Sequence, residues 1–330
     1  MSKTLAKGSA ACPVVVVTGP TASGKSGLAL ALAEAFDGVV INADSMQVYR
    51  ELAILTARPA PEDLARAPHR LYGVLPGRAR CSAGRWRRLA LAEIAACHAA
   101  GKLPLVVGGT GLYLRALEKG LARVPEVPRK IRDAARALHR KLGAAGFQAA
   151  LAQRDPVMAA RLEPGDTQRL IRAWEVLDAT GRSLAAWQAG GTGTAGEDSG
   201  PAPYRFLRLV CLPPREALYA ACNARVLGMI ERGALDELRA LLALDLDPEL
   251  PVMKALGVAE LSRHLAGDCS LEHAIARAQQ ATRRYAKRQM TWLRTQMPQE
   301  SPATMFLNEQ YSKSLDPEIF KIIHRFLLTG

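Results

Sequence analysis

The sequence predicts an α/β protein, a doubly wound parallel sheet that carries a helical insertion. Three observations point there. A β-branched run, Pro13-Val14-Val15-Val16-Val17-Thr18, stops at a glycine loop, the pattern of a buried strand. Further short apolar runs alternate with stretches of helical composition, as βαβ units do. The alternation then ceases after Gly120, where a long segment is helical in composition and holds no clear strand.

Taken in order, the first strand is followed by the loop and by a helical stretch from Gly27 to Phe36. Val39-Val40-Ile41 reads as a second strand and ends at Asn42-Ala43-Asp44-Ser45. Leu105-Val106-Val107 reads as a third and ends at Gly108-Gly109-Thr110-Gly111. In sheets of this class ligands bind at the carboxyl ends of the strands, so these three polar ends are expected to converge on one site. Residues from about Pro128 to Gln188 form the helical insertion, and the Gly, Thr, Ser and Pro-rich run Gly190 to Pro203 reads as a linker. A strand returns at Tyr204 to Leu212, and helices dominate from Arg215. The expected domains are an N-terminal extension over 1–12, a core over 13–118 and 204–298, an insertion over 119–203, and a tail over 299–330. Within the tail only Glu318 to Leu328 reads as a helix.

Composition narrows the function classes. The chain has 330 residues, enough for a large core, and its 5% aromatic content with abundant Ala and Leu disfavours an all-β fold. A net charge of +13 points to a polyanionic partner: nucleic acid, a membrane surface or a phosphorylated substrate. The six cysteines form no C-x-x-C pair, which argues against zinc and for reduced thiols. Behind Lys3 and Lys7 there is no long apolar segment, and no run reaches the roughly 18 residues of a membrane span. A cytoplasmic protein that does not engage a membrane is expected.

The motif Gly19-Pro20-Thr21-Ala22-Ser23-Gly24-Lys25-Ser26 is a complete P-loop between strand and helix. Its glycines let backbone N–H groups turn toward phosphate oxygens, Lys25 adds a charge, and Ser26 is a candidate magnesium ligand. The motif does not say which phosphate: ATP, GTP or any diphosphate suits it. Asp44, 19 positions after Lys25, is suited to act as metal ligand or general base, and equally to cap a turn. The glycines around Thr110 admit close approach and equally make a tight turn. Arg225 recurs at helical spacing with Leu218, Cys222 and Met229, so a guanidinium lies on an apolar stripe. Such a group needs an anion, either a phosphate or a carboxylate.

Basic residues cluster further on. Glu272 to Gln296 reads as one helix, and at about 100° per residue Arg277, Arg283, Arg284, Lys287, Arg288 and Arg294 fall within roughly 140°. Leu271, Ile275, Ala278, Thr282 and Tyr285 take another face. A stripe of one sign suits a nucleic-acid backbone better than a solvated face, which usually mixes signs. A second cluster, Arg129, Lys130, Arg132, Arg136, Arg140 and Lys141, lies in the insertion. A third comprises Arg78, Arg80, Arg85, Arg87 and Arg88.

Together the P-loop, Ala43-Asp44-Ser45-Met46-Gln47-Val48-Tyr49, Gly108-Gly109-Thr110-Gly111-Leu112-Tyr113, Asp166-Thr167-Gln168-Arg169-Leu170-Ile171-Arg172-Ala173 and Ala286-Lys287-Arg288-Gln289-Met290-Thr291-Trp292-Leu293-Arg294 resemble the tRNA dimethylallyltransferases, also called isopentenyl-diphosphate:tRNA transferases. The resemblance runs in order across residues 13–296. It implies a P-loop NTPase-like fold whose loop holds dimethylallyl diphosphate. It also implies transfer of the dimethylallyl group to N6 of the adenosine 3′ of the anticodon in tRNAs reading codons that start with U. By the same resemblance Asp44 is the general base, and Lys25, Ser26 and Arg225 hold diphosphate and magnesium, with Ser26 on the metal. Thr110 acts near the transferred group. The implied contacts with the tRNA anticodon stem-loop are Asp44, Ser45, Met46, Gln47, Thr110, Arg132, Gln168, Arg169, Leu170, Ile171, Arg172, Lys254, Gly257, Lys287, Arg288, Gln289, Thr291, Trp292 and Arg294. A monomer without zinc, of the bacterial type, is expected.

The chain departs from the family pattern at Leu55-Thr56-Ala57-Arg58-Pro59, at Ala221-Cys222-Asn223, where an arginine is usual, and at Gly257-Val258, where Gly-Tyr is usual. Two other readings compete. A small-molecule P-loop kinase needs only the P-loop and Asp44 and leaves the basic helix unused. A non-catalytic RNA-binding protein leaves Asp44 and Arg225 unused.

Overall fold

The structure, a computed structural model, describes residues 11–122, 124–190, 201–298 and 301–329. Lys3 and Lys7, nearly all of the N-terminal extension and most of the Gly190–Pro203 linker lie outside the described residues. The chain divides into two compact units, 1–118 with 202–330, and 119–201.

The first unit is built on a parallel sheet. Its elements begin with β1 (Cys12–Thr18), α1 (Lys25–Ala35), β2 (Gly38–Asn42), α2 (Pro61–Arg66), β3 (His69–Arg70), α3 (Ala83–Ala99), β4 (Leu103–Gly108) and α4 (Gly111–Lys119). The second unit supplies α5 (Arg129–Arg154), α6 (Pro156–Ala159), α7 (Thr167–Thr180) and α8 (Leu184–Ala189). The first unit resumes with β5 (Tyr204–Cys211), α9 (Arg215–Glu231), α10 (Ala234–Leu242), α11 (Val258–Leu265), α12 (Leu271–Gln296), β6 (Thr304–Leu307) and α13 (Asp316–Leu328).

The strand order is β3-β2-β4-β1-β5-β6, and every pairing is parallel. The valine run of β1 explains its central place. Val14 and Val16 enter the core on one face of the sheet, Val15 and Val17 the core on the other, and all four are inaccessible to solvent. Period-two alternation with both faces covered makes a continuous apolar strand. One face packs on Leu28 and Leu32 of α1 and on Ile319 and Ile323 of α13. The other packs on Trp86 and Ile94 of α3, Leu114 of α4 and Leu218 of α9.

Two strands escaped the sequence reading. β3 is only two residues long, and β6 lies in the tail, where no apolar alternation is long enough to read. β6 pairs with β5 from Arg208–Thr304 to Cys211–Leu307, and α13 covers the expected helix at Glu318 to Leu328. The unit 119–201 is helical, with no strand among its described residues. It closes on its own core of Phe147, Leu151, Leu170, Ala173 and Val176. α5 breaks at Gly143, whose φ of 69° no helix accommodates. Among the described residues no helix is long and apolar enough to cross a membrane, and all six cysteines are free.

Candidate active site

The ends of β1, β2 and β4 meet at one cavity of about 270 Å³. Thr21, Lys25, Ser26, Asp44, Gln47 and Arg225 all line it. The P-loop turns sharply into α1 through Gly24, at φ 86°. A side chain there would be strained, and its Cβ would lie 3.0 Å from Cβ of Tyr311. The tail therefore reaches the loop from behind, and Gln310 donates a hydrogen bond to the Ala22 carbonyl at 3.3 Å. Lys25 Nζ donates to the Pro20 carbonyl at 3.1 Å. Burial, with the positive charge of Arg225 adding to it, pushes the Lys25 ammonium down to about 8. Ser23 Oγ is buried without a hydrogen-bond partner among the described residues.

Asp44 is fixed from three sides. Its N–H donates to Asn42 Oδ1 at 2.8 Å, its carbonyl accepts from Asn42 Nδ2 at 3.1 Å, and its Oδ1 accepts from the Met46 N–H at 2.8 Å. The turn role considered from sequence is thus real, and it orients a carboxylate that lines the cavity. Asn42 is fully buried and also donates to the Leu71 carbonyl, while its own carbonyl accepts from Trp86 Nε1 at 2.8 Å. Thr110 Oγ1 accepts from the Ser45 N–H at 3.0 Å, which joins the β4 end to the β2 end.

Arg225 comes from α9, where Leu218, Cys222 and Met229 are buried as the helical spacing predicts. Its guanidinium donates to the Thr56 carbonyl at 3.4 Å, and burial lowers its pKa while the charge of Asp44 raises it. Thr56 belongs to the divergent stretch, and its carbonyl also accepts from Gln47 Nε2 at 2.9 Å. Arg58 in the same stretch donates to the carbonyls of Tyr49 and Arg50, so this chain's variant sequence is used to hold the segment. One anchor had no sequence signal. Glu237 of α10 accepts from the consecutive N–H groups of Ala53, Ile54 and Leu55, the last two at 2.8 Å, a backbone nest closed by a carboxylate. Tyr72 and Tyr285 also line the cavity and were not singled out as site residues. Burial and the charge of Asp44 raise both phenols.

The long helix is seen as read, and its faces differ in use. Ala278, Thr282, Tyr285 and Arg288 line the cavity, while Arg277, Arg284, Lys287, Thr291 and Arg294 are exposed. Two positions of α12 find partners inside the unit. Arg283 donates to Asn223 Oδ1 of α9, so the divergent Ala221-Cys222-Asn223 gives that arginine a partner inside the unit. Gln289 is buried: its amide accepts from the Thr21 N–H at 2.8 Å and donates to the Gly109 carbonyl at 3.0 Å. Trp292 packs over Gly111. Lys254 and Gly257 line the cavity, and Val258 is buried in the core, where an apolar side chain suits it. In the unit 119–201, Gln168 and Arg169 are exposed at the start of α7, and Arg132, Ile171 and Arg172 are half-buried. Leu170 is fully buried in that unit's core, where its side chain serves packing.

The donor set accommodates a hard cation. Ser26 and Asp44 offer oxygen to the cavity, and no group of three His, Cys, Asp or Glu able to hold a metal occurs among the described residues. Magnesium sites of phosphate-using enzymes are in general built so, with one or two protein oxygens and with substrate phosphates and water completing the shell.

Comparison with known proteins agrees with this geometry. The IPP transferase family model matches residues 47–296, and the isopentenyl transferase model matches residues 12–75. The tRNA dimethylallyltransferase of Rhodospirillum centenum is 62% identical over 86% of this chain and 89% of its own length. That of Rhodospirillum rubrum is 55% identical over 96% of each. Among solved structures, the tRNA isopentenylpyrophosphate transferase of Bacillus halodurans is 30% identical at a TM-score of 0.64, over 97% of this chain and 96% of that one. A eukaryotic dimethylallyltransferase captured acting on tRNA is 27% identical at a TM-score of 0.79, over 96% of this chain and 80% of that one. A kinase reading has no counterpart among these relatives. With a family model spanning most of the chain and relatives of this identity along nearly all of it, the chain belongs to the IPP transferase family, the tRNA dimethylallyltransferases.

Proposed function

We propose that this cytoplasmic enzyme transfers the dimethylallyl group of dimethylallyl diphosphate to N6 of the adenosine 3′ of the anticodon, in tRNAs reading codons that start with U. The observation that carries the reading is the joining of two chemistries in one cavity. Lys25, Ser26 and Arg225 supply charge and hydroxyl for a diphosphate, and Asp44 supplies a carboxylate beside them. The remaining wall, with Leu55, Val226, Met229 and Leu261, is apolar enough for a prenyl group.

The N6 lone pair attacks C1 of the dimethylallyl group. The C1–O bond breaks, its electron pair leaves with diphosphate, and the N6 proton passes to Asp44. Lys25, Arg225 and the N–H groups of the P-loop bind the diphosphate and stabilise the charge that grows on it. Magnesium, held through Ser26, would add charge neutralisation at the leaving group. Thr110, tied to Ser45, keeps the β4 and β2 ends in register around the reacting amine. An adenine inside a stacked loop cannot reach this cavity, so the base must be extruded into it.

The test is direct. The protein is incubated with magnesium, labelled dimethylallyl diphosphate and tRNA lacking the modification, and the label is followed into RNA. Label on the adenosine 3′ of the anticodon is the expected outcome. ATP turnover on a metabolite with no label in RNA would reject the reading.

A further inference from the structure

α12 carries two stripes that share the same turns. Tyr285, Gln289 and Trp292 follow i, i+4, i+7 spacing on the inner face, and Lys287, Thr291 and Arg294 follow the same spacing on the outer face. The inner stripe lies on the loops of the cavity, and its middle member is a glutamine that is only 7% exposed. A buried amide must find partners or cost stability. Gln289 finds them on two different loops, 268 residues away at Thr21 and 180 residues away at Gly109. The chemistry fixes its orientation. A backbone N–H can only donate and a carbonyl can only accept, so Oε1 faces Thr21 and Nε2 faces Gly109. The loop side is shaped to receive it, since a Cβ added at Gly109 would lie 2.3 Å from Nε2 of Gln289.

These bonds complete a chain across the site. Thr21 belongs to the P-loop, and Gln289 joins it to Gly109. The next residue, Thr110, is joined to Ser45 through its hydroxyl, and Ser45 follows Asp44. We propose that Gln289 is a positioning residue: its amide sets the spacing between the diphosphate loop and the loop bearing Thr110, and through them between the leaving group and Asp44. The proposal rests on the prenyl-transfer reading above. It assigns Gln289 to loop geometry, in contrast to its neighbours Lys287, Thr291 and Arg294, which face outward.

The test uses Gln289→Met, which keeps length and bulk but makes neither bond, and Gln289→Asn, which is one methylene short of spanning both loops. The full-length protein is assayed for single-turnover transfer to tRNA, for affinity toward an anticodon stem-loop, for binding of inorganic diphosphate with magnesium, and for melting temperature. In Gln289→Met the single-turnover rate is expected to fall on the order of tenfold to a hundredfold, as small misplacements at a reacting centre do. Diphosphate binding should weaken several-fold, and stem-loop affinity should stay within about threefold. Gln289→Asn should lie between Gln289→Met and wild type. A tenfold loss of stem-loop affinity with the rate per bound complex preserved would overturn the proposal, because Gln289 would then read RNA. Unchanged diphosphate binding and unchanged rate in both variants would overturn it equally. The diphosphate measurement needs no transfer, so a chain that prenylates nothing fails the functional reading without deciding this one.

Discussion

Positive charge is used in opposite ways by the cavity of the sheet-based unit and by the unit 119–201. In the sheet-based unit Lys25 and Arg225 are drawn out of water and line one cavity with Asp44, so burial itself depresses their pKa values. In the unit 119–201, Lys130, Arg140, Lys141 and Arg169 stand in solvent. Arg169 has only a loose exposed pairing with Asp166 at 3.6 Å. Withdrawn charges are few, mutually dependent and costly to disturb. Exposed ones are weak singly and gain effect by number and by long-range attraction to a polyanion. The first arrangement suits a step in which charge develops at one atom, the second the capture of an extended backbone. The same contrast orders the expected consequences of substitution.

The largest effect belongs to Asp44→Asn. The amide oxygen can still accept from the Met46 N–H, so the turn survives, but the group no longer takes a proton. Removing a general base costs typically 10²- to 10⁴-fold, and a fall of that order in the single-turnover rate is expected. Stem-loop affinity is expected to move by no more than a few-fold if the exposed charges carry it. Wild-type turnover in this variant would remove Asp44 as base and would leave the buried cluster as a binding device only.

The site was only partly legible beforehand, and the reason is physical. The P-loop, Asp44 and Thr110 each end a strand and announce themselves locally, through a glycine run or a polar residue after apolar ones. Arg225 was legible because a charge interrupts an apolar stripe. Asn42, Trp86 and Glu237 were not, because their function is a partner remote in sequence. Glu237 caps N–H groups more than 180 residues earlier, and nothing in Ala234–Leu242 distinguishes it from a solvated helix glutamate. Motif membership did not reveal packing either. Leu170 and Gln289 stand in the stretches associated with RNA contact, and the structure has the first filling a core and the second bonding two loops. Helical periodicity set most of the basic stripe apart from the cavity face of α12, but could not say that Arg288 would line the cavity or that Arg283 would turn to Asn223.

A middle-sized effect is expected from pH. In the donor-free protein Lys25 is held at about 8 by burial and by the neighbouring Arg225. A diphosphate favours the protonated lysine, so binding donor raises that pKa and takes up a proton. Below pH 8 the ammonium is already charged and donor affinity should be nearly level. As pH rises through about 8 the free protein loses the proton, and the donor KM should climb, at most tenfold per pH unit. The RNA surface should not follow, since arginine keeps its charge across this range. A donor KM that stays flat from pH 7 to 9 would mean that Lys25 is not withdrawn as described, and the distinction between the two kinds of cation would lose its basis.

The smallest effect tests the exposed side of the comparison. Arg169 lies at the start of α7, in the solvent, where its pairing with Asp166 is worth about 0–1 kcal/mol. If it touches a phosphate, Arg169→Ala should weaken stem-loop binding only a few-fold and leave the rate of the bound complex unchanged. The plot of log affinity against log salt should then become shallower by about 0.7–0.9, the contribution of one released counterion. That slope is the sharper measurement, because a few-fold loss of affinity alone has many causes and a unit change in counterion release has one. An unaltered slope would take Arg169 out of the RNA contact and shift the burden to Lys130, Arg140 and Lys141, whose combined replacement should then flatten the salt dependence by correspondingly more.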